Sequence, residues 1–214
     1  MAAPPPARRI QPRELQMAYL PAEERRRSII DAAVVVIASH GLAGATTRRI
    51  AEQAGAPLGA LHYCFRNKAE LIDVVAERGA TMLREAFDDV DPDRGLEATI
   101  RDSVSAYWRW VQANLGLQLA LLELGMWRIR QAAEGESVYS MYDAFGTDLL
   151  KQNLDRAVKA GTTAPAITVE EITRFITHRF DGMILEYAAS HDRDACRRQA
   201  DLLADALVLL ALPG

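Results

Sequence analysis

The sequence has few cysteines and no long run of apolar residues. Cys64 and Cys196 are the two cysteines among its 214 residues, too few for a disulfide framework, which favours a reducing compartment. No uninterrupted apolar run reaches the ~18 residues of a membrane span. Residues 1–9 lack the apolar core of a signal peptide. These absences predict a cytoplasmic protein.

Motifs of catalysis and metal binding are also missing from the sequence. Its four histidines do not show the H-x-x-x-H spacing of a helical metal site. There is no nucleophile elbow, phosphate-binding loop or dinucleotide fingerprint. The glycines Gly55 and Gly59 flank a turn that no strand precedes, so they do not form a phosphate cradle. We expect no catalytic residue, no metal site and no cofactor.

Helical periodicity dominates what is present. Half of the residues are apolar, and they recur three and four positions apart, as on the buried faces of helices. Thr168 and Glu171 have the spacing of a capping box at a helix start. The sequence predicts an all-α protein of about nine helices, the later ones spanning 96–113, 115–130, 138–160, 168–190 and 193–212.

The most informative segment runs from Thr46 to Lys68. A threonine at 46 or 47 can cap a first short helix, and Gly55 suits the left-handed residue that ends it. Pro57 fits the first turn of a second helix. Leu61 and Phe65, four positions apart, face inward. The residues that face outward are Leu58, Gly59, His62 and Tyr63. Two short helices joined by a tight glycine turn predict a helix-turn-helix that lies in the DNA major groove.

Flanking helices complete a small domain. An amphipathic helix is predicted over 23–39, with acidic residues in its first turn and His40-Gly41 at its end. Asn67 is expected to cap a fourth helix that leads away from the domain. The predicted head therefore has three helices.

Charge is divided unevenly along the chain. Residues 1–68 carry ten Lys/Arg and five Asp/Glu, a net charge of +5, whereas the remaining 15 Lys/Arg and 24 Asp/Glu give −9. A basic head on an acidic body confines the attraction for phosphate to one end. Residues 1–20, with three arginines, are either a disordered tail or a mobile basic arm that reaches DNA.

Residues 25–75 resemble the N-terminal domain of the TetR family of bacterial transcriptional regulators. The pattern is Ala32-Ala33, His40-Gly41, Thr46-Thr47, Ile50-Ala51, Ala54-Gly55, Gly59-Ala60-Leu61, Phe65 and Asn67-Lys68-Ala69-Glu70-Leu71. Many members have serine at the position of Pro57, and tyrosine at that of His62. The resemblance implies a DNA-binding domain over 21–68 and a helical effector-binding and dimerisation domain over 69–214.

We expect the DNA contacts to come from the motif itself. Thr47 and Lys68 are assigned to phosphates, Arg48 to a guanine edge or a phosphate, and Gly59 with Ala60 to close approach. The candidate DNA-binding residues are Thr46, Thr47, Arg48, Arg49, Pro57, Leu58, Gly59, Ala60, His62, Tyr63 and Lys68. Cys64, on the same helix, is either a redox switch or a small, partly buried residue.

The resemblance also implies a small-molecule pocket, for which an apolar or aromatic ligand is expected. Its candidate lining is aromatic, sulfur-bearing and charged: Tyr107, Trp108, Met126, Trp127, Tyr142, Phe145, Phe175, Arg179, Met183 and Glu186. Aromatic and methionine side chains at helical spacing equally suit a plain core. Arg179 and Glu186, which share a helix face, are either a polar anchor for the ligand or a solvated pair.

The last two helices are expected to form a homodimer. The final helix carries Leu202, Leu203, Ala206, Leu209 and Leu210, which pack against a second chain or inside one subunit. A two-fold dimer predicts a palindromic operator. The expected protein is a repressor released by its effector. The rivals are a ligand-independent dimeric DNA-binding protein and a helical small-molecule-binding protein or enzyme that keeps the head as a relic.

Overall fold

A computed structural model describes residues 21–131, 147–161 and 164–212 of the protein, without the side chains of residues 127, 128 and 131. These residues form nine α-helices and one short 3-10 helix and contain no strand, which confirms the predicted all-α class. The helices are α1 (Ala22–Gly44), α2 (Thr47–Ala54), α3 (Leu58–Cys64), α4 (Lys68–Ala86), the 3-10 helix (Pro92–Arg94), α5 (Leu96–Ala113), α6 (Leu115–Gln131), α7 (Thr147–Ala160), α8 (Val169–Ser190) and α9 (Arg193–Ala211).

The chain divides into two compact units between Val75 and Ala76, inside α4. The predicted domain boundary, after Lys68, lies at the first residue of the same helix. The predicted arm over 1–20 and the predicted helical residues 138–146 lie outside the described residues.

The first unit is built on α1. Ile29, Ala33 and Ile37 lie one helical turn apart and are fully buried, and α1 packs against both α2 and α3. The backbone leaves helical geometry at Gly41, where φ is 68°, the left-handed region that glycine tolerates. The predicted helix end at His40-Gly41 is therefore a kink, after which the helix continues to Gly44.

Helix α1 also passes a test of length and composition for a membrane span, with a mean hydropathy of 1.3 over 18 residues. Its apolar face is used inside the first unit, where Ile29 and Ile37 contribute to the core. A long apolar helix of this kind is equally typical of a protein core. Of that 18-residue window, 28% is buried.

The second unit is centred on α5. Ile100, Val104 and Val111 point inward along it, and α5 packs against α6, α7 and α9. Tyr107 stacks on Phe180 of α8, with ring centroids 4.2 Å apart and planes 18° apart. Such aromatic pairs stabilise a core beyond the area they bury.

Local sequence signals place the start of α8. The Thr168 hydroxyl accepts a hydrogen bond from the Glu171 N–H at 3.1 Å, and the Glu171 carboxylate accepts from the Thr168 N–H at 2.7 Å. The predicted capping box is confirmed. The Thr168 backbone N–H, and after it the Thr168 hydroxyl, which donates to the same carboxylate at 2.8 Å, hold the pKa of Glu171 below its ordinary value.

Candidate nucleic-acid interface and ligand cavity

Helices α2 and α3 form the predicted helix-turn-helix. The Thr46 hydroxyl caps α2 by accepting from the Arg49 N–H at 3.2 Å. Gly55 ends α2 with φ 64° and ψ 29°, and its N–H donates to backbone carbonyls of α2. The left-handed residue reverses the chain within three residues, as the motif requires.

Helix α3 begins one residue later than predicted. Pro57 occupies the N-cap position, with φ −59° and ψ 140°, and offers no side-chain cap. Its carbonyl accepts the first hydrogen bond of the turn, from the Ala60 N–H at 2.9 Å. The first N–H groups of α3 are therefore left without a side-chain acceptor, as at a helix end that receives a phosphate.

The two faces of α3 differ in burial. Leu61 and Phe65 are buried in the core, as predicted, whereas Tyr63 is 80% exposed and Leu58 41%. A Cβ built on Gly59 would meet nothing within 4 Å, so no neighbour in the unit requires glycine there. The outward face is the surface that the sequence assigns to DNA; its members are Leu58, Gly59, His62 and Tyr63.

The basic candidates of α2 lie at its exposed start. Arg48 is 83% exposed and pairs with Glu52 at 3.0 Å. The Arg49 guanidinium donates to the Gly44 carbonyl at 2.9 Å. Thr47 is half-buried beside them. An exposed ion pair is weak, so Arg48 stays available for a phosphate or a base edge.

Lys68 joins two helices. Its ammonium donates to the Leu42 carbonyl at 2.8 Å, which ties the first residue of α4 to the last turn of α1. An ammonium has three donors, so two N–H directions remain for a phosphate. Asn67 caps α4 as predicted, accepting from the Glu70 N–H at 2.9 Å.

The loop between α3 and α4 is fixed by Glu70. Its carboxylate accepts from the backbone N–H of Arg66 at 2.9 Å and from the Arg66 guanidinium at 3.0 Å. These hydrogen bonds, the backbone one first, lower the pKa of Glu70 from its ordinary value of 4.5. The loop is thus held in one shape directly after α3.

Sequence reasoning missed Arg26, which holds the end of α3. Its guanidinium donates to the Cys64 carbonyl at 2.9 Å and lies 4.5 Å above the centre of the Phe65 ring. Arg26 stands 38 residues before Cys64. Neither spacing nor periodicity relates residues so far apart, and the only signal was an arginine among three on α1, next to the buried face.

The second unit contains a largely apolar cavity of about 250 Å³. Four polar residues reach it, namely Tyr107, Gln118, Thr147 and Asp181. The remaining lining is Leu83, Leu121, Leu122, Gly125, Met126, Ile129 and Leu185.

The structure brings two of the ten predicted ligand residues, Tyr107 and Met126, to this cavity. Trp108 lines a separate polar groove against α9, and Met183 is buried. Three others are exposed on α8, namely Phe175, Arg179 and Glu186.

Arg179 donates to Gln199 at 2.6 Å. Tyr142 and Phe145 lie outside the described residues, as does the side chain of Trp127.

Helices α8 and α9 expose apolar side chains. Leu185 is 59% exposed, Leu202 60% and Leu209 73%, with Phe175 and Leu210 about half exposed. Leu203, predicted to share this surface, is buried. In the middle of α8, a Cβ on Gly182 would meet nothing within 4 Å.

Comparison with known proteins identifies the first unit. Residues 29–75 match the family model of bacterial regulatory proteins of the tetR family. This segment spans the buried half of α1, both helices of the motif and the start of α4.

Full-length relatives extend the match. The nicotine-responsive transcriptional repressor HdnoR of Paenarthrobacter nicotinovorans is 29% identical, over 86% of this chain and 93% of that protein. The transcriptional repressor AcnR of Corynebacterium diphtheriae is 26% identical, over 86% and 91%. The structure of SCO7518 from Streptomyces coelicolor, described as a transcriptional regulator, covers 88% of this chain and 99% of its own, with a TM-score of 0.64 and 22% identity. Residues 29–75 therefore carry the helix-turn-helix unit of the tetR family of bacterial regulatory proteins, and most of the chain is similar to proteins named as transcriptional repressors.

Proposed function

We propose that the protein is a repressor that binds a palindromic operator as a homodimer and is released by a small apolar or aromatic effector. The observation that carries the proposal is the outward face of α3, on which Leu58 is 41% exposed and Tyr63 80%. The relatives named repressors, one of them nicotine-responsive, support the direction of control.

DNA recognition follows from how α3 is presented. His62 and Tyr63 reach base edges, thymine methyls or phosphates, and Gly59 lets the backbone approach closely. Thr47 and Lys68 hold phosphates at either end of the motif. The remaining N–H directions of the Lys68 ammonium suit this role, since its contact with Leu42 fixes the side chain in place.

Dimerisation is supported by the exposed face of α8 and α9. Glycine inside a helix costs about 1 kcal/mol relative to alanine, and the unit itself gives Gly182 no neighbour that a Cβ would meet. Close approach of a helix from a second chain would explain why glycine stands at position 182. The two copies of α3 in such a dimer, placed ~34 Å apart, then meet successive major grooves.

Effector control runs through α4 in this proposal. Leu83 lines the cavity and Lys68, on the same helix, bonds the Leu42 carbonyl. A ligand that binds one position of α4 better than another shifts the DNA-binding equilibrium.

Selection of bound DNA from a random pool tests the proposal. We expect a two-fold symmetric sequence, weakened binding for Tyr63→Ala, and a salt dependence reduced by about one phosphate contact for Lys68→Ala. Lys159→Ala, which removes an exposed lysine at the end of α7, is the matched control. Wild-type binding by both head variants would contradict the DNA assignment.

Release of the selected DNA by apolar compounds tests the effector part. A compound that fills the cavity lowers affinity for the selected DNA, and Gly125→Leu, which fills the same cavity, removes this response. Binding that no such compound changes would favour the ligand-independent alternative.

A further inference from the structure

Helix α3 lacks most of the side chains that read bases by hydrogen bonds. Residues 58–64 include no lysine, arginine, asparagine, glutamine, aspartate or glutamate, and no serine or threonine. Those side chains recognise guanine, adenine and cytosine at their major-groove edges. Recognition of bases by α3 therefore depends on its apolar groups, together with the ring of His62 and the hydroxyl of Tyr63.

The first residue of α3 is a leucine with much of its surface exposed. Leu58 is 41% exposed and directly follows Pro57, which stands at the N-cap. A single exposed leucine is ordinary on a protein surface, but in a helix-turn-helix the first residues of the second helix contact base edges. The position of Leu58, rather than its exposure alone, therefore gives it a partner on DNA.

The base feature that suits an aliphatic side chain is the C5-methyl group of thymine, the apolar group at the major-groove edge of a base pair. We propose that Leu58 contacts a thymine methyl in each half of the operator and so selects a thymine·adenine pair at that position. This inference rests on the proposed function, since it names part of the DNA sequence that the same helix reads.

The neighbours of Leu58 leave room for this contact. Gly59 has no side chain that could hold a base pair away, and Ala60 has only a methyl group. His62 lies one helical turn after Leu58 and is exposed, so the two side chains are neighbours on one face. That face combines an apolar group with a ring that both donates and accepts hydrogen bonds.

The expected size of the effect follows from the transfer of one methyl group out of water. Burial of a group of this size changes an equilibrium constant about four-fold. A palindromic operator makes the contact twice. Loss of both methyl groups should therefore weaken binding by about 15-fold, if the two half-sites act independently.

Deoxyuridine tests the contact, because uracil pairs with adenine as thymine does and lacks only the C5-methyl group. Duplexes of the DNA selected from the random pool are synthesised with each symmetry-related pair of thymines replaced in turn. Fluorescence anisotropy with the full chain, at one fixed salt concentration, measures each dissociation constant. We expect a pair of positions at which the replacement weakens binding by about 15-fold.

Variants then assign the effect to Leu58. Leu58→Ala should bind the thymine and uracil duplexes equally at the responding position. Leu58→Met keeps an apolar side chain of similar volume and should keep the preference for thymine, which separates loss of the contact from loss of folding. Val35→Ala is the matched control, because it removes an apolar side chain that is 48% exposed on α1, and it should leave the preference unchanged.

The outcomes separate this inference from the proposed function. If a symmetric sequence is selected but contains no thymine in its half-sites, or if no replacement weakens binding by more than about two-fold, the methyl contact is wrong and the repressor proposal stands. A thymine preference that Leu58→Ala leaves intact assigns the contact to another side chain and also overturns the inference. If no DNA sequence is selected at all, both proposals fall.

Discussion

Removing the Arg26 side chain should destabilise α3. A seven-residue helix is too short to be stable alone, so α3 depends on its contacts. Arg26 gives α3 a hydrogen bond to the Cys64 carbonyl at 2.9 Å and a cation–π contact with Phe65 at 4.5 Å. A hydrogen bond from a charged donor contributes about 1.5–3 kcal/mol, and an exposed cation–π contact about 0.5–1 kcal/mol.

Because Arg26 is only partly buried, we take the lower part of these ranges and expect Arg26→Ala to lower the free energy of unfolding by about 2 kcal/mol. Urea denaturation followed by circular dichroism measures this change. If the whole loss falls on α3, affinity for the selected DNA falls by at most about 30-fold. Arg26→Lys keeps the charge but loses the planar stack on the Phe65 ring, so its stability should lie between those of the wild type and Arg26→Ala.

Arg27→Ala is the matched control, since it removes the same charge from the next position, which is exposed. It should change stability by no more than about 0.5 kcal/mol. Equal stability of the Arg26→Ala and Arg27→Ala variants would refute the reasoning. Full recovery by Arg26→Lys would show that charge alone matters.

Three further predictions concern capping, association and pH. Thr46→Ala should destabilise by about 1 kcal/mol in urea, because the Arg49 N–H loses its acceptor; an unchanged midpoint would contradict the cap. Gly182→Leu should turn the proposed dimer into a monomer in sedimentation equilibrium with unchanged helicity; a dimer that persists would place the interface elsewhere. The pKa of Glu171 is lowered in the folded state, so its contribution is present above the ordinary value of 4.5 and lost as pH falls through the lowered one. Glu171→Gln should therefore reduce the fall in melting temperature between pH 6 and pH 3. A fall identical to that of the wild type would count against the capping box.

Local signals were sufficient for much of the head. The cap at Thr46, the left-handed Gly55 and the inward pair Leu61 and Phe65 all depend on residues within four positions of one another. Propensity and periodicity report on that range. The one-residue shift at Pro57 arises because proline supplies the backbone angle of either position.

Long-range contacts were beyond the same reasoning. Lys68 and Leu42 are 26 residues apart, and Arg26 and Cys64 are 38 apart. In the second unit, the predicted lining includes Trp108, which lies in a separate groove, and omits Asp181, which lines the cavity; a carboxylate in a helical pattern is usually solvated. Which helix faces enclose a cavity depends on how the helices pack, and the sequence of a single helix does not determine that packing.

Helix α3 has one buried face and one exposed face, and this difference has an evolutionary consequence. Its position is maintained by Leu61, Phe65 and a backbone carbonyl, which Arg26 would bond whatever the side chain at Cys64. His62 and Tyr63 on the outward face are exposed, so substitutions there should cost little stability. Under the proposed function, new operator preferences can therefore arise by single substitutions on this face, while the packing that positions α3 stays the same.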